Sequence, residues 1–499
     1  MTNDLRDVRL QKVRMLREMG LAPYTDHYTV THSLRDAGRL ADGQSASVAG
    51  RLMALRKFGK LIFGHIEDAS GSMQISLERA ALTAKEFDVA KKLIDIGDFV
   101  GLSGELWTTQ TGEKTVRAMA LTLLAKGLRP LPEKWHGLVD GEIRSRKRYL
   151  DLISNGETRS RFVKRSRIIS FIRLFLESRG FLEVETPVLQ SASSGASARP
   201  FVTHHNALNR DLYLRISPET YLKRLIVGGM ERVYEIGKNF RNEGIDPSHL
   251  QEFTMLEWYA AYWSYRENMA LIRELVQALL TEFCGGTRVE YQGTVLDFGG
   301  EWAQIDYCDC VKNATGLDLL AYGTREDLVL AAVQHGVQMK MEDYTSLPAL
   351  TDAIYKKMVR PQLIQPTFLM HHPAELVPLA RRSSENARVL DMFQVVVNSW
   401  ELVKAYSELI DPLEQDRRMR LQQVYRDAGD DETMMREDDY IECMEYGMPP
   451  NSGLGLGIDR MVAIVTGAES LRDVVFFPSM REEADQGATI EPAPFEREG

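Results

Sequence analysis

Short runs in which hydrophobic and polar residues alternate occupy residues 47–128, and glycines interrupt them. Examples are SVAGRLMALRKF and LIFGHIED, and one helical stretch near residues 84–95 lies among these runs. A period of two is typical of strands that bury one face. Four or five strands in about eighty residues predict a small β-barrel of the OB type.

A helix is predicted before this barrel, at residues 3–20, with Gly20 at its end. One side carries the apolar residues Val8, Val13, Leu16 and Met19. The rest of its surface carries the basic residues Arg9, Lys12, Arg14 and Arg17. Two interpretations stay open at this point, a solvated basic face and a helix that contacts phosphate groups.

After the proline-containing linker at residues 129–137 the pattern becomes mixed, so we place a boundary between domains 1–146 and 147–482. Long helical patterns at 163–179 and 266–283 alternate with strand-like runs. These runs cover residues 199–203, 212–216, 231–241, 251–262 and 392–409. Residues 311–365 are helical in pattern and are interpreted as an insertion. The acidic tail at 483–499 is predicted to be disordered.

Composition and charge narrow the class of protein. The chain has 499 residues with 44% hydrophobic and 26% charged residues, as expected for a soluble protein of two or three domains. It begins without a signal peptide and contains no apolar run of about 20 residues, so we expect a cytoplasmic protein that does not enter a membrane. The net charge is −10, yet residues 1–60 hold eleven Lys and Arg against six Asp and Glu. A basic end on an acidic body fits contact with a polyanion, although a solvated surface would look the same.

The four cysteines include one close C-x-C pair and no second pair, so free thiols are expected rather than a zinc site. Phosphate-binding loops of the G-x-x-x-x-G-K-[ST] type are absent from the sequence.

Three other segments carry candidate chemistry. In GLGLGIDR (453–460), glycines at every second position remove the side chains from one face of a strand. Such a strand could support an aromatic ring, with Arg460 at the following helix start to bind phosphate, or it could simply allow tight packing. In FRNEG (240–244), Arg241 and Glu243 follow a strand-like run, and an arginine fork can clamp a phosphate.

The third segment is SWELVKAYSELID (399–411), in which Glu401 and Glu408 are seven residues apart. In a regular strand they would face opposite sides unless a β-bulge intervenes. Paired carboxylates near a nucleotide are natural Mg²⁺ ligands, and solvated strand glutamates are the alternative.

Together these segments resemble the class II aminoacyl-tRNA synthetases. FLEVETPVL (181–189), FRNEG with EFTMLEWY (252–259), and GLGLGIDRMV (453–462) are similar to their motifs 1, 2 and 3. Four more segments resemble the lysyl members in particular: RPLPEKWHGL (129–138), RYLDLIS (148–154), RPFVTHHNAL (199–208) and LYLRISPETYLKRLIVGG (212–229). The resemblance implies an α+β fold, in which an OB-type anticodon-binding barrel precedes a catalytic domain built on an antiparallel β-sheet flanked by helices. It also implies activation of lysine with ATP and Mg²⁺, transfer to tRNA, and a homodimer formed through motif 1.

The same resemblance implies roles for individual residues. Arg241 and Arg460 match the catalytic arginines, and the ATP site further includes Glu243, His249, Phe253 and Glu401. The lysine site matches Gly195, Glu219, Arg241, Glu257, Tyr259, Lys404, Tyr406 and Glu408. Glu401 and Glu408 match the Mg²⁺ ligands, and Phe63 and Gln74 match residues that bind anticodon bases. For Phe63, a place in the barrel core is the alternative.

The chain departs from the lysyl pattern at four positions. Lys404 stands where an asparagine usually touches the substrate, and we expect its ammonium to contact the substrate carboxylate. Ser194 replaces the first glycine of a Gly-Gly pair, and Ser248 replaces a cation near the phosphates. Ala120 occupies the position expected for a carboxylate on the last barrel strand, which predicts looser anticodon recognition.

Two other functions stay open from the sequence. The first is an enzyme that activates lysine or a related amino acid for a different acceptor. The second is an inactive regulator that only binds RNA, which the joint presence of Arg241, Glu243, Glu401, Glu408 and Arg460 disfavours.

Overall fold

The computed structural model describes residues 2–132, 140–244, 249–427, 429 and 432–481. Part of the predicted linker at 129–137, the Ser248 position and the predicted tail at 483–499 therefore lie outside the described residues. The chain divides into two compact units, Met1–Val139 and Asp140–Gly499. This division lies before the expected boundary at 146/147, because the helix Gly141–Arg146 bonds forward in the chain, with Arg144 Nε 3.0 Å from Asp151 Oδ1.

The first unit is a five-stranded closed barrel with strand order β1-β2-β3-β5-β4. Its elements are α1 (Thr2–Glu18), α2 (Leu34–Ala37), β1 (Ser45–Phe58), β2 (Leu61–Glu67), β3 (Ser72–Glu78), α3 (Ala84–Lys92), β4 (Phe99–Thr108) and β5 (Lys114–Ala125). Strand β2 shows how the pattern builds the barrel, since Ile62, Gly64 and Ile66 are buried while Phe63 and His65 alternate with them on the outer face. The predicted barrel is therefore confirmed.

Helix α1 packs on the barrel through a different face from the one predicted. Val13 and Leu16 are buried, but Val8 and Met19 are 46% and 37% exposed. The buried face also includes Arg9, whose guanidinium donates to the carbonyl oxygens of Gly127 and Ile96 at 2.9 and 3.1 Å. The predicted buried side of α1 is thus wrong for two of its four apolar residues. The packed face instead includes the basic side chain of Arg9, because carbonyl oxygens accept its hydrogen bonds.

Lys12 is also engaged within the barrel, with its ammonium 2.6 Å from Asp95 Oδ1. Arg9 and Lys12 therefore support the fold, whereas Arg14 and Arg17 are exposed, so a phosphate group could reach them.

The second unit is built on an eight-stranded sheet of order β14-β15-β16-β17-β18-β11-β10-β6. Its first elements are α4 (Gly141–Arg146), α5 (Arg148–Ser154), α6 (Gly156–Glu177), β6 (Leu182–Glu183), β7 (Leu189–Gln190), β8 (Val202–His205), β9 (Arg210–Leu214), α7 (Glu219–Val227), β10 (Arg232–Phe240), β11 (Glu252–Ala261) and α8 (Tyr265–Cys284). There follow β12 (Arg288–Tyr291), β13 (Thr294–Asp297), β14 (Ala303–Asp306), α9 (Tyr307–Thr315), α10 (Arg325–Gln334), α11 (Leu347–Met358), β15 (Thr367–Met370), β16 (Met392–Val397), β17 (Trp400–Ser407), α12 (Pro412–Asp427), α13 (Asp438–Glu445), β18 (Asn451–Gly457) and α14 (Ile458–Thr466). The large sheet is antiparallel except at its two edges, where β14 pairs with β15 and β6 with β10 in parallel.

Helices α6, α8 and α14 cover one face of this sheet and form its core. Strand β11 shows the separation of the two faces, because Leu256 and Trp258 are fully buried against the helices while Glu257 and Tyr259 point to the opposite side. Local signals set the helix ends. A capping box of Ser264 and Glu267 begins α8, and Gly285 at φ +77° ends it.

The predicted helical insertion corresponds to α9, α10 and α11, which share a hydrophobic core with Leu369 of β15 and Val396 of β16. The four cysteines are free thiols, as expected. Within the described residues, no helix is both long and apolar enough to span a membrane.

Candidate active site and anticodon surface

The glycine strand β18 lies at the centre of the sheet and presents its glycine face to the side opposite the core helices. Residues directly opposite in adjacent strands share a face. Gly453 is paired with Tyr259 and Tyr406, and Gly455 with Glu257 and Lys404. The register therefore collects on one surface four residues that the sequence assigned to a lysine site.

Side chains already fill the space above part of this glycine face. A Cβ atom at Gly453 would lie within 3.0 Å of the Tyr259 ring and of Glu408 Oε1. At Gly455 the nearest atom is the methyl end of Met255. Tight packing is therefore the reason for the glycine at 453. Because a methionine side chain is flexible, a ring-binding platform over Gly455 stays a prediction.

Three glutamates form an acidic pocket beside this strand. Glu219, Glu257 and Glu408 are only 4%, 3% and 2% exposed. The Tyr406 hydroxyl donates to Glu219 at 2.6 and 2.7 Å from its two oxygens. Ionised carboxylates are seldom buried without a cation, so this arrangement favours a cationic ligand.

The glutamates differ in their surroundings. Glu257 accepts hydrogen bonds from Ser217 Oγ at 2.8 Å and from the Tyr259 hydroxyl at 3.3 Å. Burial and the nearby Glu219 nevertheless raise the pKa of Glu257 to about 8. Burial also raises the pKa of Glu408 well above its ordinary value, against the opposing effect of Lys223.

Lys223 is a pocket residue that the sequence analysis missed. It is fully buried on α7, with its ammonium 2.6 Å from Glu219 Oε1 and in contact with Glu408 Oε2. The four-residue spacing from Glu219 was a signal, because residues i and i+4 face each other on a helix. What the sequence did not indicate was the third partner, Glu408, which comes from another part of the chain.

Gly195 closes the pocket next to Glu219. It adopts φ +86°, and an added Cβ would lie 3.2 Å from the Cβ atoms of Glu219 and Ser217. The preceding Ser194 is buried and donates to Glu437 Oε2 at 2.5 Å. Glu437 also pairs with Arg224 at 2.6 Å. The serine that departs from the family pattern thus ties the Gly195 loop to the segment before α13.

Arg241 follows the end of β10, where its guanidinium carbon lies 5.1 Å from the centre of the Phe253 ring. Its Nε is buried and has no hydrogen-bond partner within the part of the chain that the structure describes. Glu243 is half-buried and His249 is exposed. The predicted arginine and aromatic ring therefore lie together, while residues 245–248 between Glu243 and His249 are outside the described residues.

A β-bulge places Glu401 on the same face as the acidic pocket. Glu401 pairs with Val396, Val403 with Val395 and Lys404 with Gln394, so Leu402 is the extra residue. The bulge that the seven-residue spacing required is confirmed, since it lets Glu401 share a face with Lys404 and hence with Glu408 four residues later.

Arg460 lies against this bulged strand and donates to the carbonyl oxygen of Glu401. Burial lowers the pKa of Arg460 from its ordinary value. The adjacent Asp459, which had no predicted role, accepts a hydrogen bond from the Thr254 amide at 2.8 Å and pairs with Arg165 at 2.6 Å. Asp459 therefore fixes the start of α14, and with it Arg460, to both β11 and α6.

Lys404 is half-buried on the site face. Its ammonium makes no hydrogen bond or ion pair within the residues that the structure describes, so it is available to a ligand. The neighbouring Gln394 instead bonds Glu401, with Nε2 2.8 Å from Oε2.

The two predicted metal ligands differ in how well they fit Mg²⁺. Glu401 is half-buried, and Gln394 holds one of its oxygens. Glu408 is fully enclosed and already paired with Lys223. Among the described residues no cluster of three or more His, Cys, Asp or Glu could hold a metal alone. Glu401 could therefore bind a cation that phosphate groups also coordinate. Glu408 could bind such a cation only if its ion pair with Lys223 were broken.

On the barrel, Phe63 and Gln74 lie on the outer surface. Phe63 is half-buried between the core residues Ile62 and Gly64, so the alternative of a core residue is wrong. Pairing of β2 with β3 places His65 opposite Gln74 on the same face as Phe63. The predicted pair therefore belongs to one patch on the barrel surface.

A carboxylate that the sequence analysis missed completes this patch. Glu113 accepts from Gln74 Nε2 at 2.7 Å and lies 2.8 Å from His65 Nε2. Looser anticodon recognition through Ala120, which lies on β5, stays a prediction, and Glu113 supplies a carboxylate to this patch from a different position. Glu113 stands just before β5, and strand pairing rather than sequence order brings it to Gln74.

Both units match known protein families. Residues 140–481 match the family described as tRNA synthetases class II (D, K and N), and residues 46–124 match the OB-fold nucleic acid binding domain. The chain is 45% identical over 487 residues to a lysine–tRNA ligase of Syntrophomonas wolfei, covering 97% of this chain and 98% of that protein. It is 45% identical over 482 residues to that of Moorella thermoacetica, covering 96% and 98%. With that of Lactococcus lactis it shares 43% over 489 residues, covering 96% and 99%.

Proposed function

The chain belongs to the class II tRNA synthetases of the D, K and N group, and from this premise we propose that it is a lysine–tRNA ligase. It activates lysine with ATP, which gives lysyl-adenylate and pyrophosphate, and then transfers lysine to the 3′ end of its tRNA. The observation that carries the choice of lysine is the acidic pocket of Glu219, Glu257 and Glu408, which are at most 4% exposed.

In the activation step, an oxygen of the lysine carboxylate attacks the α-phosphorus and pyrophosphate leaves on the opposite side. Arg241 binds both the substrate carboxylate and the α-phosphate, which would otherwise repel each other. Its unpartnered Nε and its place beside Phe253 support this role. Catalysis then consists of alignment and stabilisation of charge, without a protein nucleophile.

ATP is held by residues of strand β11, of the segment between β10 and β11, and of the start of α14. Phe253 stacks on the adenine ring and Glu243 receives its amino group. Arg460 and His249 bind the β- and γ-phosphates. The link from Asp459 to Thr254 supports this arrangement, because it joins the phosphate-binding end to the strand that carries Phe253.

The two ammonium groups of lysine occupy different parts of the acidic pocket. Glu257, Tyr259 and Glu408 receive the ε-ammonium, and Glu219 with Gly195 receives the α-ammonium. Tyr406 orients Glu219 through its hydroxyl, and Lys404 assists Arg241 with the substrate carboxylate. Each charge-assisted hydrogen bond contributes roughly 1.5–3 kcal/mol. A substrate without the ε-ammonium would leave buried carboxylates unpaired, so rejection on the order of 10⁴ is expected.

Glu401 would hold the Mg²⁺ ion that accompanies ATP, since Gln394 already fixes the Glu401 carboxylate. The ion would supply positive charge beside the phosphate groups. Glu408 would be a second ligand only if its contact with Lys223 were broken.

The barrel binds the anticodon, with Phe63 stacking on a base and Gln74 hydrogen-bonding another. A homodimer through motif 1 is supported by exposed apolar residues on α6, β6 and β7, namely Leu174, Leu182 and Leu189, which are 66%, 53% and 48% exposed. As an enzyme of translation, the protein would act in the cytoplasm.

Amino-acid-dependent ATP–pyrophosphate exchange tests the proposal, with lysine, ornithine, β-lysine, aspartate and asparagine as substrates. Exchange with lysine alone, followed by lysine transfer to tRNA, is the expected result. Exchange with another amino acid alone, or lysine activation without transfer to tRNA, would replace the proposal by the enzyme of altered specificity. No exchange with any of the five amino acids would favour the RNA-binding regulator.

A further inference from the structure

Lys223 is a buried cation to which the proposed mechanism gives no role. Its side chain has no exposed area, and its ammonium contacts Glu219 at 2.6 Å and also Glu408. The rings of Tyr406 and Tyr440 lie 5.7 and 6.0 Å away from the ammonium. Burying a lysine is unfavourable unless charged partners compensate, so this residue has a specific reason to be there.

The balance of charges in the pocket suggests that reason. Glu219, Glu257 and Glu408 supply three carboxylates, whereas one lysine substrate supplies two ammonium groups, and its own carboxylate pairs with Arg241. Without a further cation, one of these buried carboxyl groups would keep an unpaired negative charge or take up a proton when the substrate is bound. The Lys223 ammonium removes this excess.

The contacts of Lys223 also affect the geometry of the acidic pocket. Its ammonium lies between a carboxylate assigned to the α-ammonium, Glu219, and one assigned to the ε-ammonium, Glu408. Each carboxylate bonds Lys223 through one oxygen, Oε1 of Glu219 and Oε2 of Glu408. Lys223 therefore fixes the position of one carboxylate relative to the other.

We propose that Lys223 is a positioning residue that determines specificity, because its ammonium is a third positive charge that fits the pocket to a ligand with two ammonium groups. The inference rests on the proposed function, and it predicts that lysine recognition depends on the charge of residue 223 rather than on its volume.

The test combines substitutions with chemical rescue. Lys223→Met keeps the volume and removes the charge, and it should raise the KM for lysine in ATP–pyrophosphate exchange by about tenfold or more, the factor that one charge-assisted hydrogen bond contributes. The KM for ATP should stay within about twofold of the wild-type value. Lys223→Ala leaves space for ethylammonium, which should raise the Tm of this variant and lower its KM for lysine. Ethanol, the neutral analogue, should do neither.

Lys126 offers a matched control, because it is a second fully buried lysine between two carboxylates, Asp95 at 2.6 Å and Asp98 at 2.8 Å. It lies in the barrel, so Lys126→Met should lower the Tm without changing the KM for lysine. Lys223→Arg keeps the charge and should retain more lysine activation than Lys223→Met.

Three results would overturn the inference: an unchanged KM for lysine in Lys223→Met, equal rescue by ethanol and ethylammonium, or a greater loss in Lys223→Arg than in Lys223→Met at normal Tm. Failure of the proposed function is distinguishable, since it shows as absent lysine exchange in the wild-type protein. The effect of ethylammonium on the Tm of Lys223→Ala does not depend on amino-acid activation.

Discussion

Raising the pH from 7 to 8 should lower the KM for lysine about fivefold, through Glu257. Burial and the nearby Glu219 raise the pKa of Glu257 to about 8, so in the empty pocket this carboxyl is mostly protonated at pH 7. Only the ionised form pairs with an ammonium group. The ionised fraction is about one-tenth at pH 7 and one-half at pH 8, and apparent affinity scales with that fraction.

The same shift has a consequence for stability with a defined sign. The pKa of Glu257 is higher in the folded protein than the ordinary value of 4.5, so the folded state binds more protons between these two values. The favourable contribution of Glu257 to the free energy of unfolding is complete below pH 4.5 and is lost as the pH rises towards 8. Over this range the free energy of unfolding falls by up to about 1.4 kcal/mol per pH unit. Lysine should therefore stabilise the protein more, relative to its empty state, at pH 8 than at pH 7.

Steady-state ATP–pyrophosphate exchange at pH 7, 7.5 and 8 measures the effect, with the KM for ATP as the internal reference. Glu257→Gln is the control variant because it cannot ionise, and its KM for lysine should be higher and independent of pH in this range. A wild-type KM that does not change with pH, or the same slope in Glu257→Gln, would refute the reasoning.

The remaining predictions concern residues at which the chain departs from its family or contacts tRNA. Ser194→Ala should lower the free energy of unfolding by about 1–3 kcal/mol, measured in urea, because the buried Glu437 loses a donor; an unchanged midpoint would contradict this. Lys404→Asn should raise the KM for lysine about tenfold, and a large improvement would mean that the native residue does not serve lysine binding. Phe63→Ala should weaken tRNA charging by about 1–3 kcal/mol and spare pyrophosphate exchange, whereas equal loss of both would refute the anticodon role.

The sequence by itself determined much of the architecture. Period-two alternation predicted the barrel strands, and β2 buries every second residue as expected. Helical patterns predicted α8 and the insertion helices. The class II resemblance was also a property of the sequence, since its motifs are contiguous segments, and the family match confirms it.

Sequence patterns were less reliable where packing competes with amphipathicity. In α1, Val8 and Met19 are exposed while Arg9 lies on the packed face, because barrel carbonyls accept its hydrogen bonds. A hydrophobic pattern depends only on the hydrophobicity of each residue, so it does not predict which polar side chains find hydrogen-bond partners on a packed face. The glycine strand had two possible explanations, and only the register with β11 and β17 showed that Tyr259 and Glu408 fill the space at Gly453.

The tertiary structure alone decided which polar and charged groups meet. Lys223 and Glu408 are far apart in the chain, as are Gln74 and Glu113, and neither pair has a periodic signal. The sequence showed that Glu401 and Glu408 could share a face only if a bulge lay between them, but it did not locate that bulge at Leu402. The physical reason is that period and propensity act over a few residues, whereas pairing of buried charges depends on strand order and register, which arise only when the whole sheet assembles.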